Sequence, residues 1–164
     1  MSLDTIVIER ANLGDADGIL KLAQPNEEKQ GGTLSGHLDR AVLIATLGQL
    51  PGVVARENGQ IVGFLLTWEK KTSNSPIVRM MLAAYPGCED AYLYGPVCVD
   101  AAMRGRGLAG AMFRELRRLL PDREGILFIR ANNKPSLLAH RKMGMQTVAE
   151  FTYEGNKYFV LAYH

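Results

Sequence analysis

The segment Arg104-Gly105-Arg106-Gly107-Leu108-Ala109-Gly110 is the part of the chain best suited to chemistry. Glycines let a backbone turn tightly and approach a ligand with no Cβ in the way. If a helix opens at Gly107, its first amides lack intrahelical acceptors and its dipole favours an anion in front of them. Arg104 and Arg106 add positive charge at the same place, so phosphate or pyrophosphate is the guest this loop suits. The bland alternative is a helix start with a tight turn and two surface arginines. A second segment, Asn133 to Gly144, sets Asn133, Ser136 and His140 at i, i+3 and i+7, on one helical face. A histidine there can move a proton near neutrality, since its unperturbed pKa is about 6.5. Alternatively, it is a partly buried spacer hydrogen-bonded to backbone.

Charge follows the same division. The net charge of +2 says little, but residues 1–90 carry 8 basic and 11 acidic side chains, while 91–164 carry 11 and 6. The stretch from Arg104 to Lys142 holds 10 against 3, which points to an anionic ligand or, more plainly, to a solvated helix face with Arg117, Arg118 and Arg123 outward. The basic residues lack aromatic interleaving, so nucleic-acid binding is not expected.

The 164 residues suit one domain, 1–164, and the composition, 47% hydrophobic and 22% charged, excludes collagen, disordered polymer and disulfide scaffold. Two cysteines, Cys88 and Cys98, make neither a disulfide framework nor a CxxC metal site. Neither has a histidine nearby in sequence, so both are expected as packed free thiols and no metal is expected. No apolar stretch approaches a membrane span, and the N-terminus is too charged for a leader. The cytoplasm is therefore the expected compartment. His37 and His164 have no motif around them and are expected at the surface.

The elements that must position these residues can be read from periodicity and breakers. Thr5 to Glu9 is a strand, and Ala16, Ile19, Leu20 and Ala23 mark a helix closed by Pro25. Gln30-Gly31-Gly32-Thr33 breaks the chain. A second helix from Ser35 to Leu47 carries Leu38, Val42 and Ala45 on one stripe. Asn58-Gly59 turns a hairpin between Val53–Arg56 and Gln60–Leu66. Pro76 to Ala84 is a helix. Tyr92 to Val99 is a strand interrupted at Gly95-Pro96, where a bulge or open edge is expected. A helix from Gly107 to Leu120 has Leu108, Met112, Leu116 and Leu119 on its stripe. Ile126 to Arg130 is a strand, Asn133 caps a helix ending at Gly144, and strands Gln146–Tyr153 and Lys157–Tyr163 close the chain. The order β-α-α-β-β-α-β-α-β-α-β-β predicts a mixed α/β or α+β domain on a single sheet.

Gly105, Gly107 and Gly110 satisfy GxGxxG, but five residues intervene after the strand. The next strand also ends in Arg130 where a dinucleotide site needs an acid. Arg104-x-x-Gly107-x-Ala109 instead resembles the acyl-CoA pyrophosphate loop of the GNAT superfamily of N-acetyltransferases. Asn133-x-x-Ser136-x-x-x-His140-x-x-x-Gly144-Met145 is similar to that family's second signature. The first 90 residues match in architecture only.

That resemblance implies a central, mostly antiparallel sheet with a splayed parallel pair, flanked by helices. It implies acetyl-CoA or CoA as co-substrate, with pantetheine along Val97, Cys98 and Val99. The pyrophosphate would lie on Arg104, Gly105, Arg106, Gly107, Leu108 and Ala109, with Asn133 and Ser136 on the cofactor. Arg141 and Lys142 suit the 3′-phosphate in charge. His140 stands where the family usually has a tyrosine that protonates the departing thiolate, which makes it the candidate general acid. No base is singled out: Asp90, Tyr92 and Tyr94 share a strand face, and Glu27, Glu28 and Asp39 lie where substrate is usually covered. The expected reaction is acetyl transfer to a primary amine, on a small molecule or a peptide, by direct attack. A non-catalytic acyl-CoA-binding module is the alternative. No membrane partner is expected, and a homodimer is left open.

Overall fold

The structure, a computed structural model, describes residues 5–27 and 38–164. Glu28, His37, the breaker cluster at 30–33 and the expected helix start at Ser35 lie outside the described residues. The elements follow the order expected from sequence: β1 (Ile6–Arg10), α1 (Ala16–Ala23), α2 (Arg40–Gln49), β2 (Val53–Glu57), β3 (Gln60–Glu69) and α3 (Pro76–Ala84) lead. β4 (Tyr92–Val99), α4 (Leu108–Leu119), β5 (Gly125–Arg130), α5 (Lys134–Lys142), β6 (Gln146–Tyr153) and β7 (Asn156–Tyr163) follow. The strands form one mixed sheet in the order β1-β2-β3-β4-β5-β7-β6. β4 and β5 are parallel, and the fold is that of the α/β class expected. No helix among the described residues is long and apolar enough to cross a membrane.

The chain divides into two compact units, Met1–Thr67 with Gly95–Pro121, and Trp68–Tyr94 with Asp122–His164. In the first, β1 and β2 are antiparallel, from Ile6↔Glu57 to Arg10↔Val53. The β2–β3 turn takes Asn58 to φ 51° and Gly59 to φ 79°, the positive angles its Asn-Gly pair predicts. Helix α4 packs on β1 and β2 through buried Leu108, Met112, Phe113 and Leu116. Gly63 permits this closeness: a Cβ there would sit 3.2 Å from Met112 Cε and 3.3 Å from the Cys98 carbonyl.

Helix α2 is capped by Asp39, whose carboxylate accepts from Val42 N at 3.1 Å. Its buried side chains are Leu43, Thr46 and Leu47, whereas Val42 is 53% exposed. The stripe expected at Leu38, Val42 and Ala45 is therefore corrected by one residue of rotation. Both sets have helical spacing, and only packing decides between them.

Arg56 is the polar anchor of this unit. Its Nη1 and Nη2 donate to the two oxygens of buried Asp15 at 2.6 and 2.8 Å, and its Nε donates to Glu9 at 2.6 Å. The Asn12 amide also donates to Asp15, at 2.8 Å.

In the second unit β5 runs antiparallel to β7, from Gly125↔Tyr163 to Arg130↔Tyr158. β7 completes the closing hairpin with β6, whose turn holds Glu154 at φ 49° and Gly155 at φ 78°. The core gathers Met81, Ala91, Leu93, Ile126, Phe151, Tyr158 and Val160, with Trp68 packed against it. Phe151 and Tyr158 stack at 5.2 Å. Arg123 is not the outward helix-face residue expected from sequence. It follows α4, donates to the Asp90 carbonyl at 2.6 Å, pairs with Glu69 at 3.3 Å and lies over the Tyr92 ring. At Gly95-Pro96, where the sequence predicts a bulge or an open edge, the peptide bond is cis and Gly95 has φ 109°.

Removing one partner of a buried ion pair leaves the other charge uncompensated. Arg56→Met should therefore cost about 3 kcal/mol in urea denaturation, and Glu9→Gln, at the exposed end, under about 1 kcal/mol. Arg56 holds the Asp15 carboxyl below its usual range. That part of the stability is present above the unfolded value near 3.9 and should be lost as pH falls through the lower folded value; Asp15→Asn should flatten this acid limb.

Candidate functional site

Within the first unit, the end of β4 from Gly95 onward leads into the loop that the sequence singled out. Asp100 ends the strand and ties the turn, accepting from the Ala102 amide at 2.9 Å through its carboxylate and from the Met103 amide at 2.8 Å through its carbonyl. Gly105 and Gly107 sit at φ 79° and 74°, a region other residues enter at a cost. Gly107 is the N-cap of α4 and brings no side-chain acceptor, and the first turn carries no acidic residue. The first intrahelical bond runs from the Ala111 amide to the Gly107 carbonyl. By helix geometry the amides of Leu108, Ala109 and Gly110 precede it and have no partner in the helix.

Leu108 and Ala109 of this turn, with Val99, Met103, Arg104, Gly105 and Gly107, line a cavity of about 190 Å³. The two arginines differ in their engagements. Arg104 donates to the Val99 carbonyl at 3.3 Å and to Asn26 Oδ1 at 2.9 Å. Arg106 holds its Nη1 buried with no hydrogen-bond partner among the described residues. A buried guanidinium donor without an acceptor is costly unless an anion completes it. The residues lining the cavity thus fit a phosphate group: backbone donors, a positive dipole end and the charge of Arg104. Cys98, buried in β4, is not activated; burial pushes its thiol up to about 11. A hollow of about 220 Å³ on the β6–β7 hairpin competes in size. Its charged residues, Glu150 and Lys157, are paired with each other at 3.2 Å.

The second unit holds the other candidate group. Asn133 caps α5, its side chain accepting from the Ser136 amide at 3.4 Å. One turn on, His140 is 4% exposed and fixed at both ring nitrogens. Its Nδ1 lies 2.8 Å from the Ser136 carbonyl, which can only accept, so Nδ1 carries a proton. Nε2 lies 3.0 Å from the Tyr94 hydroxyl. Burial lowers the His140 pKa, and the Ser136 carbonyl offsets this only in part. At neutral pH the ring is therefore neutral, and Nε2 accepts from Tyr94. Tyr94 is itself held protonated, because burial pushes its hydroxyl far above the ordinary tyrosine value. Its ring meets His140 and Tyr163 edge to face, and the Tyr92 and Tyr163 hydroxyls are hydrogen-bonded to each other.

Val97–Val99 and Arg104–Ala109 therefore lie in the first unit, and Asn133, Ser136 and His140 on one face of α5 in the second. Among the candidate bases, Asp90 is exposed, Glu27 is buried beside the 3₁₀ turn that carries Asn26, and Asp39 is committed to capping α2. Two pairings had no signal in sequence: Tyr94 with His140, and Arg104 with Asn26. Alternation along β4 marked the Tyr94 face without naming its partner.

Comparisons with known proteins show the family and the fold. The model of the acetyltransferase (GNAT) family matches residues 19–145. No curated protein sequence matches the chain. Among solved structures, an N-acetyltransferase from Staphylococcus aureus superposes with a TM-score of 0.70 at 18% identity, over 96% of this chain and 97% of that one. A ribosomal-protein-alanine N-acetyltransferase from Brucella melitensis gives 0.68 at 19% identity, over 96% and 98%. A Salmonella typhimurium protein solved with its cofactor acetyl-CoA gives 0.69 at 16% identity, over 97% and 93%. At such identities these structures establish the fold, and the family match establishes the rest: the chain belongs to the GNAT family of acetyl-CoA-dependent acetyltransferases.

Proposed function

We propose that the chain, as a single domain over 1–164, transfers the acetyl group of acetyl-CoA to a primary amine by direct attack. The observation that supports the reading is the uncapped first turn of α4 at a cavity of about 190 Å³ lined by Arg104, Gly105, Gly107, Leu108 and Ala109, with Arg106 of the same loop holding a buried Nη1 that has no partner among the described residues. In this reading the amides of Leu108 and Ala109, the backbone at Gly105 and Gly107, and the charges of Arg104 and Arg106 hold the pyrophosphate. Val97, Cys98 and Val99 align the pantetheine through strand backbone. Asn133 and Ser136 serve the cofactor indirectly, by capping α5 and fixing the His140 ring. The thioester supplies an activated acetyl group: the amine nitrogen forms the new bond to the acyl carbon, the carbon–sulfur bond breaks, and the sulfur leaves as thiolate.

Two protons must move. The amine's proton goes to a carboxylate or to water. The thiolate's proton comes from His140. When protonated, His140 keeps Nδ1–H on the Ser136 carbonyl and points Nε2–H at Tyr94, whose own hydroxyl proton can pass on. Cys98, with its raised pKa, is not a covalent carrier. Either a small amine or a peptide amine fits this scheme.

Ligands that bind the native state raise its apparent stability. CoA and acetyl-CoA should raise the melting temperature, and NAD should not; the reverse result would revive the dinucleotide reading. Arg106→Ala should weaken CoA binding by about 10–100-fold in calorimetry, the loss of one charged hydrogen bond. Arg104→Ala should cost less, because Arg104 is already held by Val99 and Asn26. Gly107→Val should abolish binding while leaving the circular dichroism spectrum in place.

Free-thiol release with a panel of amines tests the reaction. His140→Ala should lower kcat by about 10²–10⁴-fold and spare the KM for acetyl-CoA. His140→Tyr should recover part of the rate. The acid form of His140 is lost as pH rises through a pKa below the ordinary 6.5 or so, so the wild-type kcat should fall on that alkaline side. In His140→Tyr the fall should move to higher pH. Tight CoA binding with no thiol release from any amine would favour the binding module.

A further inference from the structure

We propose that Cys88, Glu124 and His164 form a binding site for a divalent cation of the zinc class, separate from the Arg104–Ala109 loop and from the Tyr94–His140 pair. The sequence offered no histidine near either cysteine. The structure corrects this for Cys88, whose Sγ lies 3.5 Å from His164 Nε2. A carboxylate oxygen of Glu124 completes the set, and the three donor atoms lie within 4.8 Å of one another.

The geometry suits a metal. In tetrahedral zinc, with sulfur at about 2.3 Å and nitrogen at about 2.0–2.1 Å, those two ligand atoms lie about 3.5 Å apart. Backbone, not flexible side chains, brings the three residues together. The β5–β7 register, extended one step beyond Gly125↔Tyr163, sets Glu124 opposite His164. The Cys88 amide donates to Glu124 Oε1 at 2.6 Å. Gly87, at φ 67°, makes that approach possible, since a Cβ there would come within 2.5 Å of the same oxygen. Lys70 holds the segment from the other side, donating to the carbonyls of Pro86 and Cys88 at 3.0 and 2.7 Å.

The donor set also has a partner that orients it. Tyr85 donates to Glu124 Oε2 at 2.8 Å, as a second layer around a metal ligand does. A carboxylate has about four acceptor positions; the Cys88 amide and Tyr85 take two, and the bond from the Cys88 thiol is given up when that thiol loses its proton to bind the metal. Glu124 is buried, while Cys88 and His164 are exposed, which gives the ion an open side. On binding, the Cys88 thiol proton passes to solvent as the sulfur–metal bond forms. His164 binds as neutral imidazole through Nε2, and water fills the fourth position. One thiolate and one carboxylate balance the charge of the cation. The ion ties the loop after α3 to the ends of β5 and β7.

Cobalt(II) added to metal-free protein tests the site. One equivalent should give a thiolate-to-cobalt charge-transfer band in the near ultraviolet and the intense visible bands of a tetrahedral ion, both displaced by zinc. Cys88→Ser keeps the backbone amide that Glu124 needs, and His164→Ala leaves β7 intact. Both variants should retain the native circular dichroism spectrum and lose the charge-transfer band, whereas Cys98→Ser should keep it. Zinc should raise the melting temperature of the wild type and not that of Cys88→Ser. No charge-transfer band, or a band that persists in Cys88→Ser, would overturn the proposal and leave a simple hydrogen bond between Cys88 and His164.

Discussion

Three backbone amides at the start of α4 set the terms for the first unit. A helix cannot satisfy its own first turn, and this one begins with a glycine that brings no capping side chain. An aspartate or serine at that position would have quenched the donors internally. Positive φ at Gly105 and Gly107 instead lets the loop fold back with its amides outward, while Asp100 ties its entrance. In the same loop, the Arg106 Nη1 is buried with no hydrogen-bond partner among the described residues. In the proposed reading, an anionic ligand supplies the acceptors that these donors lack. Met103 and Leu108, both buried, anchor the segment to the core.

His140 illustrates the opposite arrangement. Every polar atom of the ring is engaged, and burial disfavours its charge. A histidine whose charged form is disfavoured by burial is a stronger acid once protonated. The hydrogen bond to Tyr94 couples the ring to a phenol that burial also keeps neutral. One side of this pair comes from a strand and the other from a helix, and both rest on rigid elements rather than on loops.

The order of elements was legible because punctuation in this chain is strong. Asn58-Gly59, Pro76, Asn133 and Glu154-Gly155 each impose a backbone state that does not depend on distant contacts. The glycine loop was legible for the same reason. What escaped was anything decided by packing or register. The stripe of α2 has two helical solutions, and the core chooses the one through Leu43 and Leu47. Arg123 looked like a helix-face charge because its partners, Glu69 and the Asp90 carbonyl, are far away in sequence. Tyr94 and His140 are 46 residues apart, and Cys88 and His164 are 76 apart. Such pairs follow from the strand order and the β5–β7 ladder, which no local pattern encodes.

Trp68, the single tryptophan of the chain, packs against the Met81–Ile126–Val160 core of the second unit. Its fluorescence is consequently a local optical reporter. Emission reports on the packing of that core around Trp68, while far-ultraviolet circular dichroism averages the helices and strands of both units. If the two units lose structure in one cooperative step, the two signals trace the same curve. If they do not, the tryptophan gives the second unit a spectroscopic signature of its own.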